Sequence, residues 1–141
     1  MTATDAQIRE ILQNTRAIAL VGASANPARP SFGVMQFLLA KGHRVIPVNP
    51  GLAGQVLQGQ TVYASLKDIP KDAGVDMIDV FRASDAVLPL VEQALADLPY
   101  LRTIWLQLGV ENAQAAALAQ ANGITMVQNR CPAIEYPRLG L

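Results

Sequence analysis

The segment with the clearest chemical content is Gly22-Ala-Ser-Ala-Asn-Pro-Ala-Arg29, which directly follows the apolar run Ala17–Val21. A small residue just after a first strand lets the backbone come close to a phosphate. Successive backbone N–H groups and the N-terminus of a following helix then make an anion site. Within this loop Gly22, Ala23, Ser24, Ala25, Asn26 and Pro27 are the candidate phosphate cradle. Ser24, Asn26 and Ser31 add side-chain donors, and Arg29 adds a charged fork. Four more segments of similar character recur downstream: Val48-Asn49-Pro50, Phe81-Arg82, Gln107-Leu108-Gly109 and Asn129-Arg130-Cys131-Pro132. Arg82 is of a type that pairs with phosphate or stacks on a base. The plainer alternative for Arg29 and Arg82 is an ion pair with Asp85 or Glu135.

Two common nucleotide fingerprints fit poorly. A dinucleotide site needs Gly-x-Gly-x-x-Gly and an acid at the end of the second strand. Here Ser24 and Pro27 stand at the second and third glycine positions, and the second strand ends Pro47-Val-Asn-Pro50 without an acid. A P-loop is excluded because no Gly-Lys-Ser/Thr follows Gly22. Catalytic candidates are sparse. His43 is the only histidine and Cys131 the only cysteine. His43 precedes the second strand, which puts it at the amino end of the sheet and favours a surface position. A Cys–His pair would have to cross the sheet, so Cys131 reads as a buried or half-buried thiol. Asp76 and Asp79 read as structural or turn residues, and Asp85 and Glu111 as helix-start acids facing the dipole. No metal site is expected from one His and one Cys.

The elements that must position these residues follow from periodicity and punctuation. Thr4 caps a short helix over Asp5–Asn14, and Ala17–Val21 is an unbroken apolar strand. Residues 22–31 form a loop, and a helix opens at Pro30 or Ser31 and closes at Lys41-Gly42. Arg44–Val48 is the second strand. Residues 52–60 read as a loop, Val62-Tyr63 as a short edge strand, and residues 65–69 as one helical turn closed by Pro70. Residues 75–81 form a strand, and Ser84 caps a helix whose apolar face includes Val87, Leu90, Val91 and Ala94. Thr103–Leu106 is the next strand, Asn112 caps an Ala-rich helix to about residue 121, and residues 124–127 form the last strand. Residues 128–141 read as an irregular tail. Strands alternating with helices predict an α/β, Rossmann-like fold: an open, mostly parallel sheet with helices on both faces. In such sheets ligands bind beyond the carboxyl ends of the strands, where all five polar segments fall.

Length and composition bound the function. The chain has 141 residues, which fits one domain over 1–141, with 51% apolar and 16% charged residues. Lys+Arg and Asp+Glu are 11 each, so the net charge is zero and no long-range pull on nucleic acid or anionic membrane is expected. An anion must be held by local geometry. No early apolar run approaches the ~20 residues of a membrane span, and a single cysteine forms no internal disulfide, so a soluble, cytoplasmic protein is expected.

The series Val21-Gly-Ala-Ser-x-Asn-Pro-x-Arg-Pro-Ser, Val45-Ile-Pro-Val-Asn-Pro, Ser65-Leu-x-Asp-Ile-Pro, Val80-Phe-Arg, Trp105-Leu-Gln-x-Gly and Asn129-Arg-Cys resembles the stand-alone CoA-binding domain family. That family is similar to the N-terminal domain of the succinyl-CoA synthetase α subunit, and the match runs from about Ile8 to Leu139. The resemblance implies that the first loop holds the CoA phosphates. It places Val48-Asn49-Pro50 along the nucleotide and Phe81-Arg82 over the adenine region. Gln107-Leu108-Gly109 matches a Thr-Glu-Gly turn of the synthetase, and Arg130-Cys131-Pro132 an Asn-Cys-Pro turn. Leu52 stands where the synthetase has a lysine, so a cationic contact is missing unless Arg29 or Arg82 replaces it. The expected ligand is coenzyme A or an acyl-CoA, held without catalysis. The alternatives are an NAD(P)-binding redox enzyme or sensor on the same fold, and an interaction subunit with a vestigial CoA site. The sequence names no protein partner.

Overall fold

A computed structural model describes residues 3–141. Five parallel strands make the main sheet: β1 (Ala17–Val21), β2 (Arg44–Val48), β5 (Met77–Val80), β6 (Thr103–Leu106) and β7 (Thr125–Val127), in the order β2-β1-β5-β6-β7. A small antiparallel pair, β3 (Val56–Leu57) and β4 (Gln60–Thr61), projects from the connection after β2. α1 (Asp5–Asn14), α2 (Pro30–Ala40) and α5 (Pro132–Arg138) pack on one face, and α3 (Val87–Asp97) and α4 (Ala113–Ala121) on the other. Burial on both faces explains the unbroken apolar strands. In β1, Ile18 and Leu20 meet α1 and α2, while Ala19 and Val21 meet the α3 side. Truncating Ile18 or Leu20 to alanine costs about 2–5 kcal/mol.

The chain reverses direction across the sheet between β1 and β5. From β1 it crosses by α2 to β2 at the edge, then returns past β1 to β5 and winds outward the other way. The carboxyl ends of β1 and β5 therefore flank the topological switch point. At the opposite end, Asp76 lies just before β5 and ties three strands together. Its carboxylate accepts N–H groups of Arg16 (3.0 Å) and Ala17 (2.9 Å), its N–H donates to Ala17, and its carbonyl accepts from Arg102 (2.9 Å).

Several local expectations are corrected. The tail beyond residue 128 is helical over Pro132–Arg138, because Pro132 occupies the first turn, where no N–H is needed. This helix is held to α1 by ion pairs: Glu135 joins Arg130 and Arg138, and Arg138 reaches Asp5. His43 is buried, not on the surface. Its Nδ1 lies 2.9 Å from the Thr15 carbonyl and its Nε2 2.6 Å from the Tyr136 hydroxyl, whose oxygen also lies 3.0 Å from the Leu12 carbonyl. Burial lowers the His43 pKa, against the opposing pull of the Thr15 hydrogen bond. Ser84 opens a 3-10 turn rather than α3, and its hydroxyl accepts the Glu111 N–H instead of capping. Residues 52–60 are not all loop, since β3 and most of the hairpin lie within them. Tyr63 contributes one bridge to Val48, and the strand expected over 75–81 shortens to Met77–Val80. Asn112 does cap α4, accepting the Ala115 N–H at 2.9 Å.

Asp79 is fully buried in β5 on the α1–α2–α5 face, paired in register with Trp105, and neither carboxylate oxygen has a partner. Burial pushes its pKa well above the usual carboxylate range. A carboxyl that stays protonated when folded and ionises when unfolded makes folding less favourable as pH rises above its unfolded value of about 3.9. Asp79→Asn cannot ionise in either state. The variant is expected to be more stable than wild type at pH 7, with the gap widening from pH 4 upward in urea titrations. A gap independent of pH would contradict the neutral carboxyl.

Candidate functional site

The site is built around one close approach. Gly22 ends β1 with φ +90°, and a Cβ there would lie 2.6 Å from the Phe81 carbonyl oxygen at the end of β5. The N–H groups of Gly22 and Ala23 both donate to the Val48 carbonyl (3.0 and 3.2 Å), and Phe81 N–H donates to Val21 (2.8 Å). The first loop is thus bonded to the ends of both neighbouring strands. Asn49 completes the clamp. Its amide nitrogen donates to the Ala23 carbonyl (2.7 Å), its amide oxygen accepts from Gly51 (2.8 Å), and its backbone N–H donates to Tyr63 (2.9 Å). Its side chain therefore braces the phosphate-loop candidate from β2, at the position where a dinucleotide site carries an acid.

Beyond this brace the backbone opens. Among the described residues, the N–H groups of Ser24 and Ala25 find no partner within the protein. Ser24 Oγ accepts from Asn26 N–H and Asn26 Oδ1 from Ala28 N–H, each at 3.0 Å, so both side chains shape the loop. Arg29 follows as the exposed N-cap of α2. Arg82 is exposed after β5. Neither arginine forms an ion pair among the described residues. The expected alternative partners are not used, since Glu135 is taken by Arg130 and Arg138.

A cavity of about 460 Å³ opens on the α3 side of the switch point. It brings together five of the residues expected from sequence: Gly22, Val48, Asn49, Pro50 and Arg82. It also recruits Ala64, Ser65, Leu66, Leu90 and Gln93, none of them anticipated. Leu90 and Gln93 are three residues apart and so share one face of α3. Ala23, Ser24, Ala25, Asn26, Pro27 and Arg29 border the switch point toward α2 and do not line this cavity. Phe81 packs half-buried on the α2 face. Gln107 is buried with an unpartnered Oε1, and its N–H donates to Val80. Leu108 is exposed, and Gly109 N–H donates to Asn129 Oδ1 at 2.7 Å. These three residues form a flank further along the sheet. Leu52 packs half-buried against the α2-face core, so it supplies no charge. A wider hollow of about 910 Å³ lies at the amino ends of the strands, but its Asp76 is already committed to backbone N–H groups.

Among the described residues no group of three His, Cys, Asp or Glu is placed to hold a metal ion. Nor is any helix among them long and apolar enough to cross a membrane.

A parallel sheet, a glycine directly after the first strand and a cleft at its switch point define a Rossmann-like α/β architecture. Residues 16–137 match the family model described as a CoA binding domain, and the chain belongs to that family. An uncharacterized protein of Bacillus subtilis, YneT, is 35% identical over 127 residues, 89% of each chain. A hypothetical protein from Pyrococcus horikoshii OT3 is 37% identical with a TM-score of 0.88, over 97% of this chain and 92% of that one. The cell-free ID.343 structure from Thermus thermophilus is 34% identical with a TM-score of 0.89, over 97% and 99%.

Gly22→Ala tests the close approach. The added methyl meets the Phe81 carbonyl at a distance real Cβ atoms do not reach, in a backbone region costing about 1–2 kcal/mol for an L-residue before the clash is counted. A loss of at least that size is expected in urea unfolding. Asn49→Ala, which unbonds the part-buried Ala23 carbonyl and the exposed Gly51 N–H, should cost about 1–3 kcal/mol and speed amide exchange in residues 23–29.

Proposed function

We propose that this protein is a non-catalytic CoA-binding module that holds CoA or an acyl-CoA across the carboxyl ends of β2, β1 and β5. The observation that carries the reading is the donor set around Gly22: free N–H groups on Ser24 and Ala25, an unpaired Arg82, and the cavity between them and α3. CoA carries several negative charges on a pyrophosphate and a ribose phosphate. Backbone N–H groups at a strand–loop–helix junction suit the pyrophosphate, and an arginine fork suits a phosphate monoester. The residues present thus fit the group. CoA supplies the thiol or thioester; the chain's own residues bind and orient it.

The NAD(P) alternative finds less support. At the end of β2, Asn49 spends its amide on Ala23 and Gly51, and no acid stands there to take ribose hydroxyls. The non-catalytic reading is supported by where the reactive groups lie. His43 is enclosed by Thr15 and Tyr136, away from the cleft. Cys131 is buried at the start of α5. Asp79 is sealed within the core.

Titration calorimetry with CoA, acetyl-CoA and NADH tests the reading. CoA and acetyl-CoA should bind and NADH should not. Binding of NADH with no heat from CoA would overturn it. Arg82→Ala should weaken CoA about tenfold, the size of one lost charge-assisted contact at an exposed position. Ser24→Arg, which crowds the open N–H groups, should weaken it too. Unchanged affinity in both variants would place the ligand elsewhere.

A further inference from the structure

We propose that β7 is an association edge, where a second copy of this chain adds its own β7 antiparallel and joins the two sheets into one.

The two edges of the sheet are built differently. At the β2 edge the outward-facing residue is Pro47, which has no N–H, and its carbonyl accepts the Tyr63 N–H at 3.0 Å. The Tyr63 carbonyl accepts the Asn49 N–H at 2.9 Å, so that edge is closed. β7 stands at the other end of the strand order and pairs with β6 alone. Thr125 spends its N–H on the Arg102 carbonyl at 3.1 Å, and in a parallel ladder the next residue turns its N–H and C=O away. Met126 therefore presents a donor and an acceptor outward with no partner among the described residues. The Gln128 N–H has none either. No proline and no charge guards this strand, and such an edge is a template for another strand. A hollow of about 290 Å³ runs beside it, between Gln7 of α1 and Ala116 and Gln120 of α4.

The strand that fits this edge is its own copy. About a two-fold axis beside Met126, side chains near the axis face their own counterparts, so a charge there would meet a like charge. Residues 112–129, which include all of α4 and β7, contain no charged residue. A surface helix normally turns charge toward solvent, whereas α4 exposes only alanine and glutamine. Those small side chains let α4 and its counterpart come close over the joined strands. Antiparallel pairing centred on Met126 lets the two Met126 residues exchange both backbone bonds. It sets each Gln128 N–H opposite the Ile124 carbonyl of the second copy, and Thr125 opposite Val127. The carboxyl ends of the two sheets then point in opposite directions, so each cleft stays open. The inference holds whatever the cleft binds.

Sedimentation equilibrium and amide exchange of the full chain test the edge. The wild type should sediment as a dimer at micromolar concentration, and its Met126 amide should exchange more slowly as concentration rises. Met126→Pro removes an outward N–H at an edge position that tolerates proline, and should weaken the dimer about tenfold or more. Ala116→Lys and Ala116→Glu each set like charges across the axis and should weaken it by a similar factor. A mixture of these two variants should pair again, because opposite charges then meet. The Ala116 variants decide the matter if Met126→Pro fails to fold. A monomeric wild type overturns the proposal, and slow Met126 exchange in that monomer assigns the edge to another segment. A dimer indifferent to all three substitutions overturns it as well, by placing the contact elsewhere.

Discussion

The carbonyl at the end of β5 and the first residue after β1 occupy neighbouring space that no side chain can share. Gly22 alone satisfies that contact, with its positive φ and a missing Cβ that would otherwise meet Phe81 oxygen at 2.6 Å. Much of the cleft depends on it. The approach lets β5 pair beside β1 to its last residue, so the switch point closes tightly and the loop is turned upward. Asn49 then fixes that loop from the β2 side through Ala23. Three strands thus converge on one short stretch of backbone, and beyond it the N–H groups of Ser24 and Ala25 have no partner among the described residues.

The same economy does not hold deeper in the sheet. Asp79 and the Gln107 amide oxygen are buried without partners on one face of the two adjacent strands β5 and β6. Gln107 stands two residues beyond Trp105, the register partner of Asp79, so the two polar side chains are diagonal neighbours on that face. An ionised carboxylate there would have neither a cation nor a hydrogen-bond donor among the described residues, which is why burial pushes its pKa well above the usual carboxylate range. The stability sacrificed at this position lies directly beneath the ends of the strands that carry Phe81–Arg82 and Leu108–Gly109. Buried polar groups left unsatisfied in a folded chain are uncommon, and they tend to sit close to functional clefts.

Much of the architecture was legible because its signals are local. Unbroken apolar runs marked strands covered on both faces, and Asn112 marked the start of α4. The failures have physical causes. Pro132 and Pro137 look like breakers, yet Pro132 sits in the first turn of α5, where the lost N–H costs little, and Pro137 falls one residue before the helix ends. The β3–β4 hairpin has strands of two residues, too short for alternation to register. Its signal was the turn, with Gln58 and Gly59 both at positive φ. His43 reads as exposed because the residues that enclose it, Thr15 and Tyr136, come from distant parts of the chain. The site divided in the same way. Loops following strands could be nominated by rule, and Gly22, Val48, Asn49, Pro50 and Arg82 do converge. Gln93 and Ser65 join them only through packing of α3 and the Ser65 turn over the sheet, and no local pattern announces that.

The central claim is that these converging loops bind CoA with its pyrophosphate on the first loop. A crystal structure of the protein grown with CoA tests it most directly. The account predicts pyrophosphate density within hydrogen-bonding distance of the Ser24 and Ala25 N–H groups, with the ligand passing Gly22 and Arg82. Clear CoA density at the amino ends of the strands, or elsewhere away from Gly22, would contradict it.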